Sequence, residues 1–265
     1  MTLVPIQWIH QAAERIAPHI HHTPISYDPD LDVYFKWENQ QITGSFKLRG
    51  ALNKVLTLQD WERQRGLVTA SAGNHGQGVA VAAKLCAVGV TVFTSDHAVP
   101  NKIKAMQDLG AEIRQVKGGY AQAEAAGIAY ALENNLSWIS PYNDGQIIAG
   151  QATIALELMH DLAKVSNQNW IVPAGGGGLV SGIGAAISGL ENPPRLTAVQ
   201  SEASSFLHAI FHTGTQDGVV ELDSLADGLA GPVETGSVTI PMVKAYVDDF
   251  YLVSENYIAA AIAYA

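Results

Sequence analysis

The 265-residue chain is poor in cysteine, in basic residues and in uninterrupted apolar runs. Its single cysteine, Cys86, excludes an internal disulfide and fits a reducing compartment. Only 15 basic residues oppose 25 acidic ones, and the net charge of −10 argues against nucleic acids and anionic membranes as partners. Residues 171–190, the longest weakly polar stretch, hold seven glycines, which is atypical of a membrane span. With no basic region and apolar run at the N-terminus, we expect a cytoplasmic protein.

Apolar residues make up 48% of the chain, enough for one large or two modest domains with a sizeable core. From residue 67 onward, short apolar runs alternate with helical patterns, and this repeated βα unit predicts an α/β fold with parallel sheets covered on both faces. The predicted strands are 33–37, 67–70, 90–93, 111–116, 137–139, 170–173, 196–199 and 250–253. The predicted helices are 6–20, 47–58, 73–85, 100–109, 120–134, 144–163, 179–187, 204–212, 240–247 and 254–265.

The first candidate for chemistry is a lysine at the start of the predicted helix 47–58, in the segment TGSFKLRGA (residues 43–51). Ser45 is the expected N-cap of this helix, which places Lys47 in the first turn. The positive end of the helix dipole disfavours a cation there, so the dipole should ease deprotonation of Lys47. A neutral lysine is a nucleophile that forms Schiff bases. Taken alone, the pattern also fits a surface lysine beside Arg49.

A second candidate is the turn SAGNHGQG (residues 71–78), between a predicted strand and its helix. Small residues let backbone amides approach a ligand, and a helix N-terminus favours an anion such as a carboxylate. Asn74 offers a donor and an acceptor, and His75 could serve as an acid or base or as a hydrogen-bonded turn residue. An ordinary glycine-containing turn remains the alternative.

A third candidate is the segment PAGGGGL (residues 173–179), again between a strand and a helix. Four consecutive glycines form a wrapping loop whose amides can converge on a phosphate, with the helix dipole behind it. The segment matches neither the dinucleotide fingerprint nor the P-loop, since it lacks their spacing and their lysine. An amine nucleophile, a polar turn and a phosphate loop together describe a site for pyridoxal phosphate.

These motifs resemble those of the threonine/serine dehydratase and serine racemase family, fold type II of the pyridoxal-phosphate enzymes. The resemblance rests on KWENQ (36–40), TGSFKLRGA (43–51), SAGNHGQG (71–78), the four glycines and LADGLA (225–230), in that order. It implies that Lys47 binds the cofactor covalently and then moves the Cα proton. It implies further cofactor contacts from Phe46, Asn74, Gly175, Gly176, Gly177, Gly178 and Leu179. The implied substrate carboxylate site consists of Ser71, Gly73, Asn74 and His75.

The resemblance also implies an architecture. A smaller domain, residues 66–141, is expected to be inserted into a larger cofactor-binding domain formed by residues 1–65 and 142–265. The site should lie between the two, and a homodimer is expected. Members of the family continue beyond the position of Ala265, so we expect this chain to be truncated at its C-terminus and to lack the residue that faces the pyridine nitrogen.

The implied activity is a lyase that converts a small β-hydroxy amino acid to a 2-oxo acid and ammonia. Racemases of the family have a serine acid/base where this chain has Ala72, which favours dehydration over racemization. They also have a glutamate near their metal where this chain has Gln200, so no metal is expected. Racemization or another β-elimination remains the first alternative. The second is a truncated, non-catalytic remnant that binds the cofactor or a partner protein.

Overall fold

The computed structural model describes residues 4–265, which form eleven α-helices and nine strands. The strands are β1 (Ile25–Asp28), β2 (Val33–Lys36), β3 (Leu67–Ala70), β4 (Val90–Ser95), β5 (Glu112–Val116), β6 (Ser137–Trp138), β7 (Asn169–Pro173), β8 (Arg195–Ser201) and β9 (Asp249–Val253). The helices are α1 (Ile6–Ile16), α2 (Lys47–Thr57), α3 (Asp60–Arg65), α4 (Asn74–Leu85), α5 (Pro100–Asp108), α6 (Tyr120–Glu133), α7 (Gly145–Asp161), α8 (Gly178–Ile187), α9 (Phe206–Thr213), α10 (Thr239–Tyr246) and α11 (Glu255–Tyr264).

Two parallel sheets organise the chain, and they confirm the α/β class. One sheet has the strand order β5-β4-β3-β6 and the other the order β7-β8-β9, with all pairs parallel. Strands β1 and β2 form a separate antiparallel hairpin. The first sheet lies within residues 67–138 and the second within 169–253. The boundaries of the inserted domain stay a prediction.

The central strands β3 and β4 of the four-stranded sheet are buried on both faces, as crossover helices on a parallel sheet require. Successive side chains of β3 alternate between the faces: Leu67 packs with α2 and α4, whereas Val68 and Ala70 pack against α6. The core on the α4 side also contains Leu48 and Leu52 of α2. Helix α2 therefore shares a core with the residues of the predicted small domain.

A close crossing of α2 and α7 sets the position of Lys47. A Cβ atom on Gly50 would lie 2.7 Å from the carbonyl oxygen of Ile147, and one on Gly150 would lie 2.6 Å from the Cα atom of Gly50. Real Cβ atoms do not approach other atoms so closely, so glycine at both positions is what lets the helices touch. Residues 147–155 of α7 are buried without a break, which marks α7 as the central helix of this layer.

Several predicted boundaries need correction. The predicted helix 6–20 is shorter in the structure, where α1 ends at Ile16 and a 3-10 turn follows. Pro18 does not fit in the interior of an α-helix, because it has no backbone N–H to donate. Helix α3 was not predicted; its six residues are too few to give a periodic signal. Ser254 occupies the expected N-cap position of α11, but its side chain makes no capping bond. Within residues 4–265, no helix is both long and apolar enough to cross a membrane.

Candidate active site

Lys47 is the first residue of α2, as predicted, but the helix begins differently from the prediction. The N-cap residue is Phe46, with φ −60° and ψ −18°, and no side chain caps the helix. Ser45 is buried, and its hydroxyl has no hydrogen-bond partner among the described residues. The expectation that Ser45 caps α2 is therefore wrong, because the chain enters the helix one residue later.

The amine of Lys47 is held by a single polar contact. Its Nζ atom donates a hydrogen bond of 3.1 Å to the carbonyl oxygen of Pro141, and it pairs with no carboxylate in the part of the chain that the structure describes. Burial lowers the pKa of Lys47 to about 8, because the charged form loses hydration without gaining a counter-charge. An amine with this pKa is partly neutral, and thus nucleophilic, near pH 7.5.

The four-glycine loop connects β7 to α8 and packs tightly against its neighbours. A Cβ atom on Gly176 would lie 2.5 Å from the ring of Tyr142, and one on Gly175 would lie 2.8 Å from the carbonyl oxygen of Leu229. Gly177 has a φ of +87°, which favours glycine. Thr239 fixes the loop by donating a hydrogen bond of 2.7 Å from its hydroxyl to the carbonyl oxygen of Gly176.

The backbone N–H groups of this loop are free to bind an anion. The N–H groups of residues 175–180 have no protein acceptor among the described residues. Residues 178–180 form the first turn of α8, where N–H groups have no partner within the helix. Their N–H dipoles add to the positive end of the α8 dipole. The loop can therefore hold a phosphate without any basic side chain.

A single cavity brings Lys47 and Phe46 together with the glycine loop. Gly175, Gly176, Gly177, Gly178 and Leu179 all line it, as do Pro141, Tyr142, Gln151, Gly228 and Leu229. The last five were not predicted as site residues. Gln151 gave one signal that could have identified it, since it is a polar residue in the middle of the apolar sequence IIAGQATIAL.

The SAGNHGQG turn does not line this cavity. It follows β3 and leads into α4, and the hydroxyl of Ser71 accepts a hydrogen bond of 3.0 Å from the N–H of Gly73. Asn74 is exposed. The side chain of Lys102 covers Gly73, since its Cδ atom would lie 2.9 Å from a Cβ there, and its Nζ atom pairs with Asp227 at 2.6 Å.

His75 is the link between this turn and the amine. Its ring is buried, with Nε2 lying 3.1 Å from the carbonyl oxygen of Ile139, two residues before the oxygen that binds Lys47. Burial, assisted by the positive charge of Lys47, lowers the pKa of His75 to about 3. The imidazole is therefore neutral at physiological pH and donates from Nε2 to Ile139, which leaves Nδ1 as a buried acceptor without a partner in residues 4–265.

Behind Lys47, a buried ion network anchors α2. Arg49 is fully buried and binds two carboxylates, Glu38 at 2.8 and 2.8 Å and Glu157 at 2.6 and 3.1 Å. Lys36 also binds Glu157, at 2.6 Å. The network ties α2 to α7 and to the segment after β2. Among the described residues, no carboxylate lines the cavity that holds the Lys47 amine.

Comparison with known proteins identifies the family that has this arrangement. A family model described as "Pyridoxal-phosphate dependent enzyme" matches residues 12–265. The chain belongs to this family of pyridoxal-phosphate dependent enzymes. The cofactor and the fold type predicted from the motifs are thereby confirmed.

Two enzymes and one solved structure are similar to this chain over most of its length. L-threonine ammonia-lyase of Thermotoga maritima is 37% identical over 98% of this chain, and L-threonine dehydratase catabolic TdcB of Escherichia coli is 38% identical over 96%. The structure of maize serine racemase superposes with a TM-score of 0.89 at 30% identity, covering 98% of this chain and 80% of that one. This chain spans 66% of the length of the Thermotoga protein and 78% of that of TdcB. The predicted likeness to threonine dehydratases and serine racemases is confirmed.

The cavity suits pyridoxal phosphate on its own evidence. The cofactor carries a phosphate, an aldehyde and an oxygen-bearing ring, so it needs an anion site beside an amine. The unpaired N–H groups of residues 175–180 and the pKa-lowered amine of Lys47 meet both needs within one cavity. The tight contacts of Gly175 and Gly176 explain why larger side chains are absent from the loop.

Proposed function

We propose that the protein is a pyridoxal-phosphate-dependent ammonia-lyase that converts a small β-hydroxy amino acid, threonine or serine, to a 2-oxo acid and ammonia. The observation that carries the proposal is the amine of Lys47, whose pKa burial lowers to about 8, in one cavity with the free amides of the glycine loop. The similarity to the Thermotoga threonine ammonia-lyase and the Escherichia coli threonine dehydratase supports the choice of reaction.

In this proposal the chain's own residues bind and orient the reactants. The amides of Gly175, Gly176, Gly177, Gly178 and Leu179 hold the phosphate, and Phe46 packs by the cofactor ring. Asn74, which does not line the cavity in this structure, bonds the ring oxygen when the cofactor is bound. The turn formed by Ser71, Gly73, Asn74 and His75 receives the substrate carboxylate. That last role requires the Lys102 side chain to move from Gly73, since it covers the turn in this structure.

Lys47 has two tasks. Its neutral amine would bind the cofactor aldehyde covalently, and the free amine would accept the proton from the substrate Cα. The cofactor, when bound, supplies the electron-withdrawing ring that stabilises negative charge at Cα. The Cα proton moves to Nζ of Lys47, and the Cβ hydroxyl then takes a proton from Nζ and leaves as water. The resulting enamine takes up water to give the 2-oxo acid and ammonia.

The position of Ala72 favours elimination over racemization. A racemase needs a proton donor on each face of Cα, and an alanine at this position supplies none. His75 does not replace that donor, because its pKa of about 3 leaves the ring neutral and its N–H is bound to the oxygen of Ile139. We also propose a cytoplasmic homodimer, with residues 66–141 as the inserted domain.

The visible absorption spectrum of the purified chain with added pyridoxal phosphate tests the proposal. We expect the band of lysine-bound cofactor in the wild type and its loss in Lys47→Ala. Lys84→Ala serves as the control, because Lys84 is exposed on α4 and should leave the band unchanged. Threonine and serine turnover, followed as 2-oxo acid, comes second.

The outcomes separate the alternatives. A Lys47→Ala variant that keeps the band or the turnover would contradict the assignment of the amine. Loss of enantiomeric purity in recovered substrate, without 2-oxo acid, would indicate a racemase instead. A band without any turnover would indicate a cofactor-binding protein that does not catalyse the reaction.

A further inference from the structure

Gln151 is a buried polar residue that the proposed mechanism does not use. It lies in the middle of α7, its side chain is 1% exposed, and it lines the same cavity as Lys47 and the glycine loop. The close crossing of α2 and α7 makes room for it. A Cβ atom on Gly50 would lie 2.3 Å from the Nε2 atom of Gln151, so any larger residue there would displace the amide.

The orientation of the Gln151 amide follows from its neighbour. The N–H of Gly50 donates a hydrogen bond of 3.1 Å to Oε1, so the oxygen faces α2 and the nitrogen is the other terminal atom. Nε2 has no hydrogen-bond partner among the described residues. A buried donor without a partner costs free energy, and such groups in native proteins generally meet a ligand or water.

The other polar groups of the cavity indicate which kind of ligand atom this donor binds. Apart from acceptors that are already engaged, the Pro141 carbonyl oxygen with Lys47 and the Tyr142 hydroxyl with the N–H of Glu234, the polar groups of the cavity include the amine of Lys47 and the N–H groups of the glycine loop, which all donate. No carboxylate belongs to the lining residues. These donors suit an electron-rich oxygen, and Nε2 adds a donor contributed by a helix other than α8.

We propose that Nε2 of Gln151 donates a hydrogen bond to an anionic oxygen of the bound reactants. This inference rests on the proposed function, because the oxygen belongs either to pyridoxal phosphate or to the carboxylate of the amino acid. The bond fixes the ligand relative to Lys47, since Oε1 of the same amide is bound to the N–H of Gly50, one turn along α2 from Lys47. Gln151 is thus a binding residue that no motif of the sequence indicated.

Two substitutions at Gln151 test the donor. Gln151→Glu keeps an oxygen for the N–H of Gly50 and replaces the donor by a second oxygen. Gln151→Met has a similar length and no proton to donate at any pH. Each variant is titrated with pyridoxal phosphate, and each loaded variant with serine, with absorbance as the binding readout and without relying on turnover.

Gln200 provides a matched control. It is also 1% exposed, its Oε1 accepts a hydrogen bond of 3.0 Å from the N–H of His208, and its Nε2 likewise lacks a partner in residues 4–265. It lies on β8 and does not line the cavity. Gln200→Glu therefore reproduces the chemical change at a buried amide outside the site. Thermal unfolding of the cofactor-free variants reports their folding separately.

A hydrogen bond to a charged group implies a loss of affinity of about 10- to 150-fold on removal of the donor. We expect this loss in both Gln151 variants and not in Gln200→Glu. A loss confined to pyridoxal phosphate assigns the oxygen to the cofactor, and one confined to serine assigns it to the substrate. Wild-type affinities in either folded variant would overturn the inference while leaving the proposed function intact. Absence of cofactor binding by the wild type would instead refute the proposed function, and the inference with it.

Discussion

Replacing Arg49 by methionine should destabilise the protein strongly, because it would leave two carboxylates in the interior without their cation. Arg49 is fully buried and makes four contacts of 2.6–3.1 Å with Glu38 and Glu157. Those carboxylates are only 15% and 13% exposed. Breaking a buried ion pair by removing one partner costs about 3–5 kcal/mol. For a chain of this size, that loss corresponds to a fall in Tm of about 6–20 °C.

Thermal and urea unfolding of the cofactor-free protein measure this effect directly. Arg63→Met is the matched control, since Arg63 pairs with Asp60, which is 82% exposed. Such a surface pair contributes under about 1 kcal/mol. The triple variant Arg49→Met with Glu38→Gln and Glu157→Gln should recover part of the loss, because it removes the uncompensated charges. An Arg49→Met variant as stable as Arg63→Met would refute the reasoning.

The pH dependence provides an independent check. In the wild type, burial opposes ionisation of Glu157, but Arg49 and Lys36 outweigh it and hold its pKa below the ordinary value. The stabilisation that comes from this lowered pKa is fully present above the pKa of Glu157 in the unfolded chain, and it is lost as the pH falls through the pKa of Glu157 in the folded protein. Without Arg49, the pKa of Glu157 should rise. Protonation of Glu157 should then remove its uncompensated charge and make the variant more stable. The stability gap between wild type and Arg49→Met should therefore narrow as the pH falls from 7 to 5.

Further predictions concern the cavity. Gly176→Ala places a Cβ atom 2.5 Å from the Tyr142 ring, so it should lower the unfolding free energy by about 1–3 kcal/mol. Gly89→Ala is the control, because a Cβ atom there meets no described residue within 4 Å, and equal stabilities of the two variants would contradict the contact. Trapping of pyridoxal phosphate on Lys47 by borohydride should rise with pH around a midpoint near 8, and a midpoint near 10.5 would show an ordinary lysine. Lys102→Ala breaks the pair with Asp227 and uncovers Gly73, so the loaded protein should bind serine faster in stopped flow; an unchanged rate would show that the side chain does not cover the site.

Local patterns in the sequence were sufficient for most of the elements, although not for β1 or α3, and for the motifs at their ends. The apolar runs predicted the strands, because a buried strand requires apolar residues that lie close together in the sequence. Lys47 was placed at the start of its helix for the same reason, and the glycine loop was recognised because four glycines have few uses other than close approach to a ligand. The roles of Asn74 and of the carboxylate turn stay predictions.

Tertiary contacts decided what the local pattern could not. Ser45 has the chemistry of an N-cap, yet it is buried and the helix begins after Phe46. The pKa of Lys47 falls because the amine is buried, which depends on residues far away in sequence and not on the helix end that the pattern revealed. Gln151 enters the cavity only because α7 crosses α2 at two glycines, about a hundred positions apart.

The sequence by itself determined most of the strands and helices, the position of the amine and the glycine loop, because each depends on residues within a few positions of one another. Only the tertiary structure decided that the amine is buried with no carboxylate partner in residues 4–265, and that Gln151 and Tyr142 share its cavity with the loop. Burial and convergence are properties of distant segments in contact. A single sequence does not reveal which of its buried faces will meet.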